Sequence, residues 1–138
     1  MIARIYRQQI RAKLKKFPAV ALTGPRQCGK TTLAQQLGGV YFDMETAGSE
    51  ARLDAEWETL VAARQLIIID EAQNAPGIFS RLRGTIDTDR KRNGRFLLLG
   101  SVSPALMKNV SQSLAGRLGL VRLTPFILPE LKARQIDD

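Results

Sequence analysis

Residues 24–31 constrain the fold of this chain more than any other segment. They read Gly-Pro-Arg-Gln-Cys-Gly-Lys-Thr and satisfy the pattern GxxxxGK[ST] at every fixed position. A polyphosphate needs many N–H donors around one small anion, and a glycine-rich turn that runs into a helix N-terminus supplies them without obstructing side chains. The segment therefore predicts a phosphate-binding loop between a strand and a helix.

The residues on both sides of the loop fit this prediction. Residues 18–23 form a short apolar run suited to a buried strand, and residues 32–37 continue as a helix. The pattern assigns Lys30 to the β and γ phosphates of a nucleotide and the Thr31 hydroxyl to Mg²⁺. The predicted nucleotide-binding residues are Gly24, Pro25, Arg26, Gln27, Cys28, Gly29, Lys30, Thr31 and Thr32.

A second apolar run, residues 66–69, ends abruptly in two carboxylates, Asp70 and Glu71. Four apolar residues fit a strand buried on both faces of a parallel sheet, and ligands of open α/β sheets bind at the carboxyl ends of the strands. Mg²⁺ needs a carboxylate opposite the loop hydroxyl, and hydrolysis needs a group that orients water. We therefore predict Asp70 in the metal shell, through water, and Glu71 as the group that polarises the attacking water.

Three more strands and a series of helices are predicted along the chain. The strands are residues 40–43, 95–100 and 120–123, and the helical segments are residues 2–17, 46–64, 76–86, a helix from Pro104, and a helical or loop segment at 111–116. Five strands separated by helices describe a three-layer α/β core. Ser101 follows the fourth strand, so it either lies near the γ-phosphate or simply ends the strand.

Composition limits the class of protein. The 138 residues are 44% hydrophobic and 25% charged, which fits one soluble domain, and no apolar run approaches the 18 residues needed to span a bilayer. The absence of histidine excludes histidine-based zinc sites and Ser-His-Asp catalysis. Cys28 is the only cysteine and the N-terminus does not resemble a signal peptide, so we expect a cytoplasmic protein.

The net charge of +8 is unevenly distributed. Residues 1–40 hold eight basic groups and no acid, whereas residues 41–60 hold six acids and only Arg52 as a base. A second basic stretch comprises Arg90, Lys91, Arg92 and Arg95. The basic face of the helix at residues 2–17 is either solvated or borders an anion. Nucleic acid is therefore a possible partner, but the chain has few aromatic residues and no known reader motif.

Together these motifs resemble the AAA-superfamily ATPases of bacteria and archaea in which this core precedes an uncharacterised C-terminal domain. The matching stretches are LTGPRQCGKTTLAQQL at 22–37, YFDMET at 41–46, LIIIDEAQNAPGIFSRLRGTID at 66–87, GRFLLLGSVSPALMKN at 94–109 and SLAGRLGLVRLTPF at 113–126. The resemblance implies an additional-strand core of order 5-1-4-3-2 that binds ATP with Mg²⁺. It also makes Arg117 a candidate arginine finger that acts in trans within a homo-oligomer. Alternatively, Arg117 pairs with a surface carboxylate.

Two features depart from this family pattern. The chain stops at Asp138, where such proteins continue, so we expect residues 1–138 to form one core whose residues 124–138 begin a truncated extension. Cys28 replaces a small aliphatic residue and is either an inert buried thiol or an oxidisable one beside Lys30. The resulting hypotheses are an ATPase, a nucleotide-binding switch with little turnover, and a basic protein associated with nucleic acid.

Overall fold

Five parallel strands form the centre of the fold. The computed structural model describes residues 2–24, 30–101 and 114–122. The strands are β1 (Ala19–Gly24), β2 (Val40–Asp43), β3 (Ile67–Asp70), β4 (Phe96–Ser101) and β5 (Leu118–Arg122). Their order across the sheet is β2-β3-β4-β1-β5, which confirms the predicted order 5-1-4-3-2 read from the opposite edge.

Helices cover both faces of the sheet. They are α1 (Ile2–Lys16), α2 (Lys30–Gln35), α3 (Ser49–Ala62) and α4 (Ile78–Asp87), with a short 3₁₀ helix at Ala72–Asn74. Side chains of α1 and α2 pack on one face of the sheet, and those of α3 and α4 pack on the other. Because both faces are covered, every residue of β1 is buried, as expected for a central parallel strand. The predicted three-layer α/β core is confirmed.

The face under α3 and α4 holds the larger core. Trp57 of α3 stacks on Phe96 of β4 with ring centroids 5.9 Å apart and an angle of 7° between the ring planes. Such a pair contributes about 0.5–1.5 kcal/mol beyond its buried area. The buried side chains that α3 and α4 contribute to this core include Trp57, Leu60, Ile78, Phe79, Leu82 and Ile86.

The fifth strand begins at Leu118, two residues earlier than the predicted start at Leu120. Gly119 interrupts the apolar run in the sequence, so the sequence pattern does not predict residues 118 and 119 as part of the strand. A Cβ atom at Gly119 would lie 2.7 Å from a ring carbon of Phe17. The glycine therefore marks a close approach of the α1 end to the strand, which is a usual role of glycine inside strands.

Several predictions concern residues outside the described ranges. They are the loop residues 25–29, the helix from Pro104, residues 111–113 of the 111–116 segment, and the extension at 124–138. In the part of the chain that the structure describes, no helix is long and apolar enough to cross a membrane.

Candidate functional site

The carboxyl edge of the sheet brings the main predicted residues together. β1 ends at Gly24, where the phosphate loop begins, and α2 begins at Lys30. β3 ends at Asp70, two positions across the sheet from β1. The hydroxyl of Thr31 donates a hydrogen bond to Oδ2 of Asp70 over 2.6 Å. The helix that follows the phosphate loop and the strand that ends in Asp70 thus meet, as the sequence predicts.

Lys30 is buried at the first turn of α2, with only 5% of its surface exposed. Its Nζ donates a hydrogen bond to the backbone oxygen of Gly24 over 3.0 Å. A buried ammonium group is costly to desolvate and is stabilised by a nearby anion or by hydrogen bonds. The charge is therefore held at the loop, where it can contact a bound phosphate.

The carboxylate of Asp70 is 4% exposed and accepts three hydrogen bonds. Besides Thr31, the hydroxyl of Tyr41 donates to Oδ2 over 2.5 Å, and the backbone N–H of Glu71 donates to Oδ1 over 2.8 Å. These donors offset the cost of burying a charge. They also fix both oxygens of the carboxylate relative to Thr31.

Tyr41 was not among the predicted site residues. It pairs with Ile68 in the register between β2 and β3, so its side chain lies on the same face of the sheet as that of Asp70, two residues further along β3. The sequence shows a tyrosine in a strand but not the register that aligns it with the aspartate. Burial raises the pKa of Tyr41 above its ordinary value, and the hydrogen bond to Asp70 raises it further. The hydroxyl therefore stays protonated and remains a donor.

The oxygen atoms at this edge fit Mg²⁺. Magnesium is usually held by one or two carboxylates together with substrate phosphates and water. Thr31 Oγ1 and the Asp70 carboxylate lie side by side and offer that set of protein ligands. No group of three or more His, Cys, Asp or Glu side chains that could hold a metal is found among the described residues. The donor set thus suits a metal that is shared with a bound nucleotide.

Glu71 follows directly after β3 and adopts a left-handed backbone conformation, with φ 52° and ψ 48°. It is the one described residue other than glycine with a positive φ. Nε2 of Gln73 donates a hydrogen bond to Oε2 of Glu71 over 2.5 Å. The carboxylate predicted to polarise water is therefore held by a neighbouring amide that the sequence did not single out.

Ser101 ends β4, and its backbone lies opposite Gly24 in the register between β1 and β4. This places the residue beside the start of the phosphate loop. The structure describes its backbone and not its side chain. The predicted contact with a γ-phosphate stays a prediction.

Arg117 lies far from these residues along the strand direction. It directly precedes β5, and its backbone oxygen accepts a hydrogen bond from Ala19 at the start of β1, so it sits at the amino edge of the sheet. Its guanidinium holds Asp87 with two hydrogen bonds, 2.7 Å from Nε and 3.1 Å from Nη2. The bonds from Arg117 hold the pKa of Asp87 below its ordinary value. Arg117 therefore lies away from the Lys30, Thr31 and Asp70 site of its own chain. Its side chain pairs with the carboxylate of Asp87, which is the alternative that the sequence left open.

Two arginines of the second basic stretch bind backbone oxygens within the fold. Arg92 donates hydrogen bonds to the backbone oxygens of Val61 and Ala63 at the end of α3, over 3.2 and 2.9 Å. Arg95 is 4% exposed and donates to the backbone oxygen of Thr85 over 3.2 Å. Carbonyls at helix ends lack partners within the helix and attract cations. Arg92 and Arg95 are therefore engaged within the fold, and the expectation that nucleic acid is a possible partner stays a prediction.

Comparisons with known proteins agree with this geometry. A family model described as an AAA domain matches residues 16–132. Uncharacterized proteins of Mycobacterium bovis and Mycobacterium tuberculosis are each 40% identical over 133 residues, which cover 94% of this chain and 30% of each relative. The chain therefore spans about a third of the length of these curated relatives.

A solved structure, the Walker-type ATPase PABY2304 of Pyrococcus abyssi, has a similar fold. The TM-score is 0.62 at 14% sequence identity, and the match covers 95% of this chain and 57% of the other. At this identity the likeness concerns the fold.

Proposed function

The chain belongs to the AAA domain family, and on that premise we propose that it binds ATP with Mg²⁺ and hydrolyses the γ-phosphate. The observation that carries the proposal is the hydrogen bond of 2.6 Å between Thr31 and Asp70, next to the buried ammonium of Lys30. A hydroxyl and a carboxylate in contact, with a cation at the same loop, form a set of groups suited to a metal-bound triphosphate.

Each residue has a distinct role in the proposed reaction. Lys30 neutralises charge on the β and γ phosphates, while Thr31 and Asp70 hold the metal, Asp70 through water. Bound Mg²⁺ supplies positive charge that offsets the negative charge developing on the phosphate oxygens. Glu71 accepts a hydrogen bond from the attacking water and then its proton.

The reaction itself is a displacement at phosphorus. The water oxygen bonds to the γ-phosphorus, the bond from that phosphorus to the β–γ bridging oxygen breaks, and the electron pair stays on ADP. The products are ADP and inorganic phosphate. A cytoplasmic location fits a consumer of ATP.

The alternative function is a nucleotide-binding switch with little turnover. It needs Lys30, Thr31 and Asp70 but not a competent Glu71. The hydrogen bond from Gln73 that holds the Glu71 carboxylate favours neither function by itself. The two functions are separated by variants that remove binding and turnover independently.

Replacement of Lys30 and Glu71 tests the proposal. Lys30→Ala removes the buried cation and should lower ATP affinity at least tenfold, whereas Glu71→Gln should keep affinity and lower kcat by about 10²-fold or more. The measurements are nucleotide binding by calorimetry and phosphate release at saturating Mg-ATP. Lys91→Ala and Glu58→Gln change exposed residues of the same types and serve as matched controls.

The outcome for Glu71→Gln decides between the two functions. Equal phosphate release by wild type and Glu71→Gln would remove the catalytic role and leave the switch. The rate of phosphate release per molecule is then compared at several protein concentrations. A rate that rises with concentration in wild type but is independent of concentration in Arg117→Ala would support the proposed role of Arg117 in trans within a homo-oligomer.

A further inference from the structure

The side chain of Gln73 is bonded at one end and left without a partner at the other. Its Nε2 donates to Oε2 of Glu71 over 2.5 Å, while its Oε1 is buried without a hydrogen-bond partner. Buried side-chain oxygens are satisfied in the large majority of cases, so an unpaired one calls for an explanation. Only one other described side-chain atom shares this condition, the hydroxyl of Thr23 next to the phosphate loop.

The orientation of the Gln73 amide follows from the chemistry of Glu71. An ionised carboxylate only accepts hydrogen bonds, so the amide must turn its NH₂ group towards Glu71. A flipped amide would place two acceptors against each other. The carbonyl oxygen of Gln73 is therefore the atom left over for another donor.

The backbone around Glu71 holds the carboxylate in one place. Its N–H donates to Asp70 and its backbone oxygen accepts a hydrogen bond from Asn74 over 3.0 Å. The positive φ of Glu71 is unfavourable for a residue with a side chain and persists only where neighbouring contacts enforce it. Two contacts thus fix the backbone of a strained residue at the carboxyl edge of the sheet, and the amide of Gln73 holds its side chain.

A purely structural role for Gln73 does not account for the unpaired oxygen. A side chain retained for stability would have its acceptor bonded, because an unsatisfied buried oxygen loses its hydration without compensation. The bond that Gln73 does make is to the carboxylate predicted to polarise water, which points to a role in placing that carboxylate.

We propose that Gln73 positions the Glu71 carboxylate for its role toward the attacking water, through the hydrogen bond from Nε2. This inference rests on the proposed hydrolysis and adds a positioning residue that acts through Glu71. Gln73 donates no proton to the reaction. Its contribution is to orient the carboxylate.

Gln73→Met removes the hydrogen bond to Glu71 and keeps the length of the side chain. The variant should lower kcat about 10- to 100-fold, the change expected from losing a hydrogen bond to a charged group, and leave ATP affinity unchanged. Its melting temperature should stay within about 2 °C of wild type or rise, since an unpaired buried oxygen is removed. Gln65→Met, at an exposed glutamine before β3, is the matched control.

A double-mutant cycle separates positioning from a general effect. In the Glu71→Gln background, Gln73→Met should cause no further loss of kcat, because the group that it positions is already inactive. The side-chain amide resonance of Gln73, assigned by its disappearance in Gln73→Met, should shift in Glu71→Ala without any nucleotide present. That second measurement does not depend on activity.

Several outcomes would overturn the inference. An unchanged or raised kcat in Gln73→Met contradicts positioning, and a loss of kcat that accompanies a clear fall in melting temperature assigns the residue to stability. A further loss in the Glu71→Gln background or an unmoved resonance would also reject it. A wild type without phosphate release would instead overturn the proposed function, and this inference with it.

Discussion

Asp70 receives donors from three separate parts of the chain: Thr31 of α2, Tyr41 of β2, and the backbone N–H of Glu71. One buried carboxylate therefore links the loop helix to two strands. A buried charge with three donors is stabilised, whereas the loss of one donor leaves part of its desolvation cost without compensation. The same contacts that prepare the site for a metal also contribute to stability.

Tyr41→Phe tests this contribution. The ring keeps its packing while Asp70 loses one hydrogen bond, so the free energy of unfolding should fall by about 1–3 kcal/mol. Urea denaturation at neutral pH measures the change. Tyr6→Phe is the matched control, a buried tyrosine of α1 away from the carboxylate, and should change the value by less than about 0.5 kcal/mol. Equal effects of the two substitutions would contradict the role of the Tyr41 hydroxyl.

At the level of elements, the entry of β2 depends on a glycine. Gly39 has φ +104°, and a Cβ atom there would lie 2.4 Å from the backbone oxygen of Leu66. That oxygen accepts a hydrogen bond from the N–H of Val40 over 2.8 Å, which starts the pairing of β2 with β3. The register that brings Tyr41 to Asp70 therefore begins at a position where only glycine fits.

Gly39→Ala and Gly84→Ala should change stability in opposite directions. Alanine at position 39 meets both an unfavourable backbone conformation and a backbone oxygen, and should cost more than about 2 kcal/mol. Gly84 lies inside α4 with nothing within 4 Å of an added Cβ, so alanine there should raise the free energy of unfolding by about 0.5–1 kcal/mol. Thermal and urea unfolding measure both. A loss in Gly84→Ala would contradict the open space on that face of the helix.

The elements themselves could be predicted from local patterns. Apolar runs identify the strands because a sheet covered on both faces needs continuous hydrophobic residues, and helical spacing identifies the inner face of α4. The predicted strand at 40–43 agrees with the structure at both ends. Gly119 misled the prediction at β5 because packing against Phe17, and not propensity, decides that position.

The contacts of the site could be predicted only in part. A fixed motif places Lys30 and Thr31, and strand-end logic places Asp70, since both follow from short segments. The contact of Tyr41 with Asp70 depends on the register between β2 and β3. The contact of Gln73 with Glu71 depends on the backbone turn after β3. Local sequence patterns encode neither the register nor the turn. Arg92 and Arg95 look like surface charges in the sequence, because a charged run gives no sign that its side chains bond to the backbone oxygens of helix ends.

Across the whole molecule, the charged helices and the predicted catalytic residues occupy different parts of the fold. The basic helix α1 covers one face of the sheet and the acid-rich helix α3 covers the other. The predicted catalytic groups of this chain lie at the carboxyl edge, and Arg117 lies at the amino edge. An arginine from that edge can reach a nucleotide only in a second copy of the chain, which makes the concentration dependence of turnover informative about assembly.

Binding of Mg-ATP should stabilise the whole chain. A ligand at 100 times its Kd that binds only the folded state adds about 2.7 kcal/mol, which for a domain of this size corresponds to a rise in melting temperature on the order of 10 °C. The rise should be smaller with ATP in EDTA, because Thr31 and Asp70 then contact no metal. Thermal unfolding monitored by circular dichroism measures both conditions.

Asp70→Asn separates the metal-dependent part of this stabilisation from the rest. The amide keeps the size of the side chain but is a weaker ligand for Mg²⁺ and for its bound water. The variant should therefore show the same rise with ATP in EDTA as wild type and lose most of the additional rise with Mg²⁺. An equal rise in both conditions for wild type would contradict the metal site, since the stabilisation would then come from Lys30 and the loop alone. No rise in either condition would count against nucleotide binding by this chain.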